Sequence, residues 1–308
     1  MNGPALAPAW FVDAHVHFHA CFPLSEFFEG ARRNVARLGR TEFGGQVKLG
    51  CLLLTDRAGE NHFLRLRDSV GRSPSPVAPS PIAGRTSPFP TGEEPASQRP
   101  EIPWGALPPG WSSQATAEAE SVRFHPPAGP PLALVQGRQV ATREGLEILT
   151  LCSSVEIPDG LSLPEAAHRA VDAGALTVIP WGFGKWWLGR GQIVAHLLES
   201  DLGDKVYLGD NGNRWAGAGD PALFRRGRAV LPGSDPLPFP HHASRAGSYG
   251  FQITGDLDPE RPAASLRQVV AALRASPVPL GKLRGATAFL GDQLRMQLRM
   301  QLRKGAPA

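Results

Sequence analysis

The chain has 308 residues and a formal charge of +4 at pH 7. Its 42% hydrophobic and 19% charged residues can bury a core, which excludes a wholly disordered protein. No apolar run reaches the roughly 18 to 20 residues of a membrane span, and residues 1–10 lack a basic start followed by an apolar stretch. We therefore expect a cytoplasmic protein.

Short apolar runs alternate with helical stretches along the chain, which is typical of βα units. Seven strands are predicted, at residues 9–12, 47–54, 132–135, 146–151, 175–179, 205–208 and 229–231. Helices are predicted at 25–38, 164–173, 191–198 and 264–275. Right-handed crossovers between such strands imply a parallel sheet, either closed or open.

Prolines divide the chain unevenly, because 15 of the 31 lie between residues 71 and 131. Proline removes a backbone donor, and the polar residues around it bring little apolar surface. We therefore predict a flexible Pro-rich insertion over 71–121. Residues 1–70 and 122–290 together then have the size of one barrel domain.

The end of the chain is predicted to be a basic helix or tail over 291–308. It holds four basic residues and one acidic residue, so the body of the protein is close to neutral. A four-residue repeat places Leu294, Leu298 and Leu302 on one stripe, which we expect to dock on the barrel. Outside this tail we find no strong signal for nucleic acid or membrane binding.

The most informative motif is Asp13-Ala-His15-Val-His17-Phe-His19, which follows the first predicted strand. Residues two apart on an extended strand point the same way, so these imidazoles can face one point. Neutral imidazole is the commonest ligand of Zn, Mn or Fe in proteins. The motif therefore predicts a divalent metal site.

This opening resembles that of the polymerase and histidinol phosphatase (PHP) superfamily, which begins with Asp-x-His-x-His at the end of the first strand. Residues 135–149 are similar to two later strands of that family, and Leu163–Pro180 to its helix and following strand. Pro232-Gly-Ser-Asp235 resembles its late Gly-Ser-Asp. The resemblance implies a TIM-like, distorted (β/α)7 barrel that hydrolyses phosphate esters with two or three metal ions.

Several positions depart from the family pattern. Gln139 stands in the place of a bridging Glu, Glu147 and Trp181 stand in the places of His residues, and Leu237 replaces the last His. His241 or His242 could substitute for that last residue from the loop. His15, His17, Glu147 and Asp235 remain as predicted ligands, so we expect fewer ions than a complete PHP site holds.

The remaining site predictions follow from position at strand ends. Lys185, Asp210 and Arg214 are predicted to act in catalysis, with a cation stabilising a developing anion. His19, Gln139, Trp181 and Arg190 are predicted to bind substrate, expected to be a small phosphorylated molecule. The Trp- and Gly-rich segment 180–191 is either a packed lid or a ligand pocket.

Three functions remain open at this stage. The first is a PHP-like metal-dependent hydrolase, most plausibly a phosphoesterase that uses a metal-activated water. The second is a barrel that has lost catalysis and serves in binding or assembly, suggested by Gln139, Trp181 and Leu237. The third is an amidohydrolase-like enzyme that cleaves C–N bonds.

Overall fold

The computed structural model describes residues 9–42, 47–70 and 107–304, with the side chains of the last six of these left undescribed. The strands are β1 (Ala9–Val16), β2 (Leu49–Asp56), β3 (Ser112–Ala115), β4 (Ser121–His125), β5 (Leu132–Ala141), β6 (Glu147–Leu151), β7 (Leu176–Pro180), β8 (Val206–Asn211), β9 (Val230–Gly233), β10 (Tyr249–Thr254) and β11 (Pro279–Gly281). The α-helices are α1 (Leu24–Glu42), α2 (His62–Asp68), α3 (Leu163–Asp172), α4 (Arg190–Glu199), α5 (Pro262–Ala271) and α6 (Ala286–Lys304).

The strands form one mixed sheet, in the order β11-β10-β1-β2-β5-β6-β7-β8-β9, with β4 and β3 branching from β5. The two distant parts of this order approach each other, because the amide of Asp235, just after β9, donates to the carbonyl of His15 on β1 at 2.8 Å. The result is a mixed α/β domain with a nearly closed, barrel-shaped sheet.

Each of the seven predicted runs lies in or overlaps a strand, but the strand directions differ from the uniform parallel pattern. Strand β6 runs antiparallel to both β5 and β7, and β10 runs antiparallel to β1. A short turn at 142–146, with Gly145 at φ 75°, joins β5 to β6, and a connection this short can join only antiparallel strands. Glu147 therefore begins its strand at the edge where the parallel strands end.

Strands β1 and β2 are buried along their whole length, so both of their faces are covered. Alternate residues of β1 join different parts of the core. Phe11 packs with Phe27 and Phe28 of α1, whereas Trp10 and Val12 pack in the cluster that includes α5.

The predicted insertion falls partly outside the described residues. Residues 71–106 are not described, whereas 107–121 are, and they include β3. Strand β3 pairs with β4, and the indole of Trp111 donates to Glu29 of α1 at 2.8 Å. These contacts attach the last part of the predicted insertion to the body of the protein.

Helix α6 forms where the four-residue repeat predicts it, but its leucines do not dock as expected. Leu294 is 61% exposed and Leu298 is 59% exposed, while the helix contacts the body through Phe289 and Asp292. The prediction that the leucine side packs on the barrel is wrong for these two residues, because a buried carboxylate and an aromatic ring on another face hold the helix. The side chain of Leu302 is outside the described residues.

Candidate metal centre

Two imidazoles meet at the end of β1. His15 is the penultimate residue of the strand and His17 follows it directly, so both side chains leave the same side of the chain. Their Nε2 atoms are 3.1 Å apart, and both side chains are buried. The alternation of the motif thus produces two converging nitrogen donors.

Asp235 completes this group from the opposite end of the sheet order. Its Oδ1 lies 3.7 Å from the Nε2 of His15 and 3.7 Å from the Nε2 of His17. The residue has φ 44°, in the left-handed region that Asp tolerates better than most side chains. Its amide is bonded to the carbonyl of His15, so β1 and β9 position the three donors together.

These three donor atoms fit a divalent cation. Bonds of roughly 2.0 to 2.2 Å in a tetrahedral shell place the ligand atoms about 3.4 Å from one another, which is close to the observed separations. Two imidazoles and one carboxylate are a common donor set for Zn and Fe, and they leave further positions open. Metal binding is therefore geometrically compatible with His15, His17 and Asp235.

Thr55 selects the tautomer of His17 that binding requires. The Thr55 hydroxyl donates to the carbonyl of Val16 at 3.0 Å, so only its lone pairs remain for the Nδ1 of His17 at 3.3 Å. In this arrangement His17 carries its proton on Nδ1, which leaves the Nε2 lone pair directed at Asp235 and His15. Such outer partners orient metal-bound imidazoles in known sites.

Asn211 holds the second oxygen of Asp235. Its side-chain amide donates to Asp235 Oδ2 at 2.5 Å, and Oδ1 stays turned toward the imidazoles. Burial opposes ionisation of Asp235, but His15, His17, His19 and Lys185 together outweigh it and hold its pKa below the ordinary value. Asn211 therefore fixes the orientation in which Asp235 presents Oδ1 to the imidazoles.

Asp13 is the scaffold of the centre and does not join the donor group. Its carboxylate accepts the amide of Ser234 at 2.8 Å, the hydroxyl of Ser234 at 2.6 Å and the amide of Gly247 at 2.8 Å. Burial raises its pKa to about 6 in spite of these donors. Asp13 thus ties β1 to β9 and to the turn before β10.

Burial opposes protonation of His17 and His19. Burial, with a contribution from the neighbouring His15, lowers the pKa of His17 to about 4. Burial also lowers the pKa of His19 to about 3. Neutral imidazole is the form that ligates a metal, so the surroundings favour the binding state.

Glu147, predicted as a ligand, lies in a separate ion pair. Its Oε1 accepts from the Nζ of Lys185 and, at 3.1 Å, from the Nε2 of Gln139. Both partners come from the same sheet edge, because Glu147 begins an antiparallel strand there. The structure places three of the four predicted ligands together and places Glu147 with Lys185 and Gln139 instead.

Asp210 and Arg214, predicted to act in catalysis, neutralise each other. The guanidinium of Arg214 forms two bonds to the carboxylate of Asp210, at 2.9 and 3.0 Å, and also binds Asp220. The hydroxyl of Tyr249 donates to Asp210 at 2.6 Å. These contacts pair the charges of Asp210 and Arg214 in a buried network that connects β8 to β10. The position of the two residues at a strand end does not reveal this pairing.

The predicted substrate-binding residues have different surroundings. The ring of His19 stacks on His17 at 5.5 Å, and its Nε2 is 2.9 Å from the carbonyl of Pro236, so His19 supports the turn after Asp235. Arg190 donates to the carbonyl of Gly184 at 2.6 Å within its own loop. Trp181 lines a cavity, and its carbonyl accepts from the side-chain amide of Asn211 at 3.4 Å.

Two further His and carboxylate groups occur among the described residues. In one, the amide of Leu237 donates to the Nδ1 of His242, so the proton of that imidazole sits on Nε2 and points at Asp292, 3.2 Å away. In the other, the Nδ1 of His62 is 2.9 Å from Asp56. Neither His241 nor His242 joins His15 and His17, so the proposed substitution for the residue at Leu237 is not observed.

Thr55 and Asn211 are functional candidates that sequence reasoning missed. Both lie at or near the ends of strands, a position that suggests a role at the site. Many other polar residues share that position, so it does not single these two out. Their contacts with His17 and Asp235 depend on neighbouring strands and cannot be read from the linear order.

No family model matches this chain, and no curated protein matches it. Among solved structures, PsfC from Pseudomonas syringae PB-5123 is 13% identical, with a TM-score of 0.42 over 96% of this chain and 99% of PsfC. Endonuclease Q, solved with a 27-mer duplex bearing an abasic lesion at its active site, is 14% identical, with a TM-score of 0.43 over 85% of this chain and 57% of that protein. With TM-scores below 0.5, neither likeness assigns a family or a reaction to this chain.

Proposed function

We propose that this protein is a metal-dependent hydrolase of phosphate esters, with a small phosphorylated molecule as its substrate. The observation that carries the proposal is the triangle of His15 Nε2, His17 Nε2 and Asp235 Oδ1, with sides of 3.1, 3.7 and 3.7 Å. The sequence resemblance to PHP enzymes at these same residues supports the choice of phosphoester chemistry.

A divalent cation such as Zn, Mn or Fe, when bound, supplies Lewis acidity that polarises the ester and makes water nucleophilic near neutral pH. His15, His17 and Asp235 would hold it, while Thr55 and Asn211 orient two of these ligands. In the overall reaction the oxygen of water bonds to phosphorus, the bond from phosphorus to the alcohol oxygen breaks, and the alcohol takes up a proton.

Lys185 is our candidate for the cation that acts on the phosphate. Its charge contributes to the low pKa of Asp235, and its ammonium group pairs with Glu147. A phosphate oxygen that replaces one hydrogen bond to Glu147 would gain a positive partner as charge develops. Lys185→Met should therefore lower kcat by about 100-fold without removing the metal.

A single ion is the stoichiometry that His15, His17 and Asp235 support. Glu147 already pairs with Lys185. The Nε2 of His242 carries a proton that points at Asp292, so this nitrogen has no lone pair for a second metal ion. We therefore expect one equivalent of divalent metal per chain, fewer than a complete PHP site contains.

The test is elemental analysis of protein purified without chelator, combined with a panel of aryl phosphates, phosphodiesters and aryl amides with added Mn or Zn. We expect one metal per chain and release of phosphate or alcohol from an ester. Cleavage of amides alone would replace the proposal with a C–N hydrolase. Stoichiometric metal with no turnover of any substrate would favour a binding or assembly role, and absence of metal would overturn the centre itself.

A further inference from the structure

A cavity of about 590 Å³ is lined in part by Trp181, whose carbonyl lies 3.4 Å from the side-chain amide of Asn211. Four segments form it: the loop between β7 and α4, the first turns of α4, the stretch after β8, and the start of α6. Six aromatic side chains line it, namely Trp181, Phe183, Trp186, Trp187, Trp215 and Phe289. Its volume falls within the range of roughly 300 to 1,000 Å³ that small-molecule sites occupy.

The aromatic walls are open to solvent. Phe183 is 44% exposed, Trp187 is 56% exposed and Trp215 is 41% exposed. Phe183 makes edge contacts with Trp187 at 4.9 Å and with Phe289 at 5.3 Å, and these contacts hold its ring in place. A cluster of rings that a folded protein leaves uncovered marks a surface that binds a ligand.

The charged groups of the cavity are already paired. Arg214 is neutralised by Asp210 and Asp220, and Arg226 pairs with Glu199. A planar aromatic ring needs apolar faces, which offset stacking and edge contacts can use. The six aromatic side chains supply such faces, and Gln192 adds a polar side chain, so the lining suits a planar aromatic ring with polar edges.

Asn211 connects the cavity to the metal centre. Its side-chain amide donates to the carbonyl of Trp181 at 3.4 Å and to Asp235 at 2.5 Å. Lys185 belongs to the same loop as four of the aromatic walls. Asn211 and this loop therefore link the lining of the cavity to the carboxylate of the centre.

We propose that this cavity binds a planar aromatic ring, of the size of a nucleobase, that belongs to the phosphate ester cleaved at the metal centre. The statement that the ring belongs to the cleaved ester rests on the proposed function, but ring binding itself needs no metal. Under this proposal the Trp- and Gly-rich segment 180–191 is a ligand pocket that selects the substrate, and not a packed lid.

Calorimetry of the full chain in EDTA tests ring binding separately from catalysis. The probes are adenosine 5′-monophosphate, 1-naphthyl phosphate and glucose 6-phosphate. We expect the two aromatic esters to bind at least tenfold more tightly than glucose 6-phosphate. Equal affinity for all three, or no binding of either aromatic ester, would overturn the proposal.

Trp187→Ala and Trp215→Ala should each weaken the aromatic esters about tenfold and leave glucose 6-phosphate unchanged. Both side chains are substantially exposed, so the fold should tolerate their loss. Leu188→Ala is the matched control, because Leu188 lies in the same loop, is 96% exposed and does not line the cavity. If Leu188→Ala weakens binding as much as the tryptophan variants do, the cavity does not bind the ring.

The two proposals fail in different ways. Aromatic binding without turnover under any metal would contradict the hydrolase and leave the cavity assignment intact. Turnover of glucose 6-phosphate with the same kcat/KM as the aromatic esters would contradict the cavity and leave the hydrolase intact.

Discussion

The hydroxyl of Thr55, near the end of β2, affects the tautomer of His17, which lies just after β1. Its hydrogen is used by the carbonyl of Val16, and so His17 must donate from Nδ1 and present a lone pair from Nε2. The His-x-His spacing brings the rings together, but it does not determine which nitrogen is free.

Thr55→Val should therefore lower zinc affinity by about 10- to 100-fold, because His17 loses the partner that sets its tautomer. Competition with a chromophoric chelator measures the change. Thr150→Val is the matched control, since Thr150 is equally buried on β6 and its hydroxyl has no hydrogen-bond partner among the described residues. An unchanged affinity in Thr55→Val would contradict the role of this hydroxyl.

Glu147→Gln should keep a full equivalent of metal, because the carboxylate pairs with Lys185 outside the donor group. Asp235→Asn should lose most of the metal, since an amide is a weaker ligand than the carboxylate that faces both imidazoles. Elemental analysis of the two variants beside the unmodified protein distinguishes them. Loss of metal from Glu147→Gln would return Glu147 to the ligand set.

At the scale of elements, the centre depends on how closely β9 approaches β1. Asp13 accepts donors from Ser234 and Gly247, and the amide of Asp235 reaches the carbonyl of His15. These bonds connect strands that are far apart in the sheet order. Two donors from β1 and one from beyond β9 can converge only while this contact holds.

Gly233→Ala should separate the two strands, because a Cβ at this position would overlap the backbone nitrogen of His15. We expect at least a tenfold loss of metal affinity and about 2 kcal/mol of lost stability, measured by chelator competition and urea unfolding. Gly285→Ala is the control, since a Cβ there meets no atom within 4 Å. Normal metal binding by Gly233→Ala would show that the approach of β9 is not needed.

Helix α6 is attached to the body through a charge network around Asp292. His242 and Arg284 both contact this carboxylate, and the His242 side chain is fully buried. Burial lowers the pKa of His242 to about 4, below its ordinary 6.5, so the unfolded chain binds the proton more readily. The stability from this group is present above pH 6.5 and is lost as the pH falls toward 4.

His242→Gln should flatten the fall in the free energy of unfolding between pH 6.5 and pH 4 by about 2 kcal/mol. Glutamine can still accept from Leu237 and donate to Asp292, so the fold should survive. Urea unfolding at pH 7.5, 5.5 and 4 measures the effect, with the exposed His168→Gln as control. A pH dependence identical to that of the unmodified protein would exclude His242 as its source.

At the scale of the whole molecule, a cation held between the ends of β1 and β9 would link two distant parts of the sheet. Binding only to the folded state adds stability that grows with metal concentration. Among the described residues, no helix combines the length and apolar character of a membrane span.

EDTA should lower the Tm of the protein by about 5 to 10 °C, which corresponds to removal of a ligand present at roughly 100 times its Kd. His15→Ala should show the lower Tm at the outset and no further response to EDTA. Differential scanning calorimetry gives both values. A Tm that EDTA does not change, in protein shown to contain metal, would contradict a site that joins β1 to β9.

Strand positions were predictable because apolar runs and their polar ends are local features. Strand directions were not, since β6 reverses through a short turn after β5 and the same run of residues fits either direction. The direction of β6 matters because it places Glu147 at the sheet edge where Lys185 pairs with it.

The sequence by itself determined the donors at the end of β1 and the late aspartate as metal-site candidates, because residue type and period two are local properties of the chain. Only the tertiary structure decided which carboxylates join them. Glu147, Asp210 and Asp235 all occupy the same sheet edge, and each takes the nearest cation or donor that neighbouring strands bring to it. Lys185 and Arg214 take the first two, whereas Asn211 turns Asp235 toward the histidines, and these distances exist only in the folded chain.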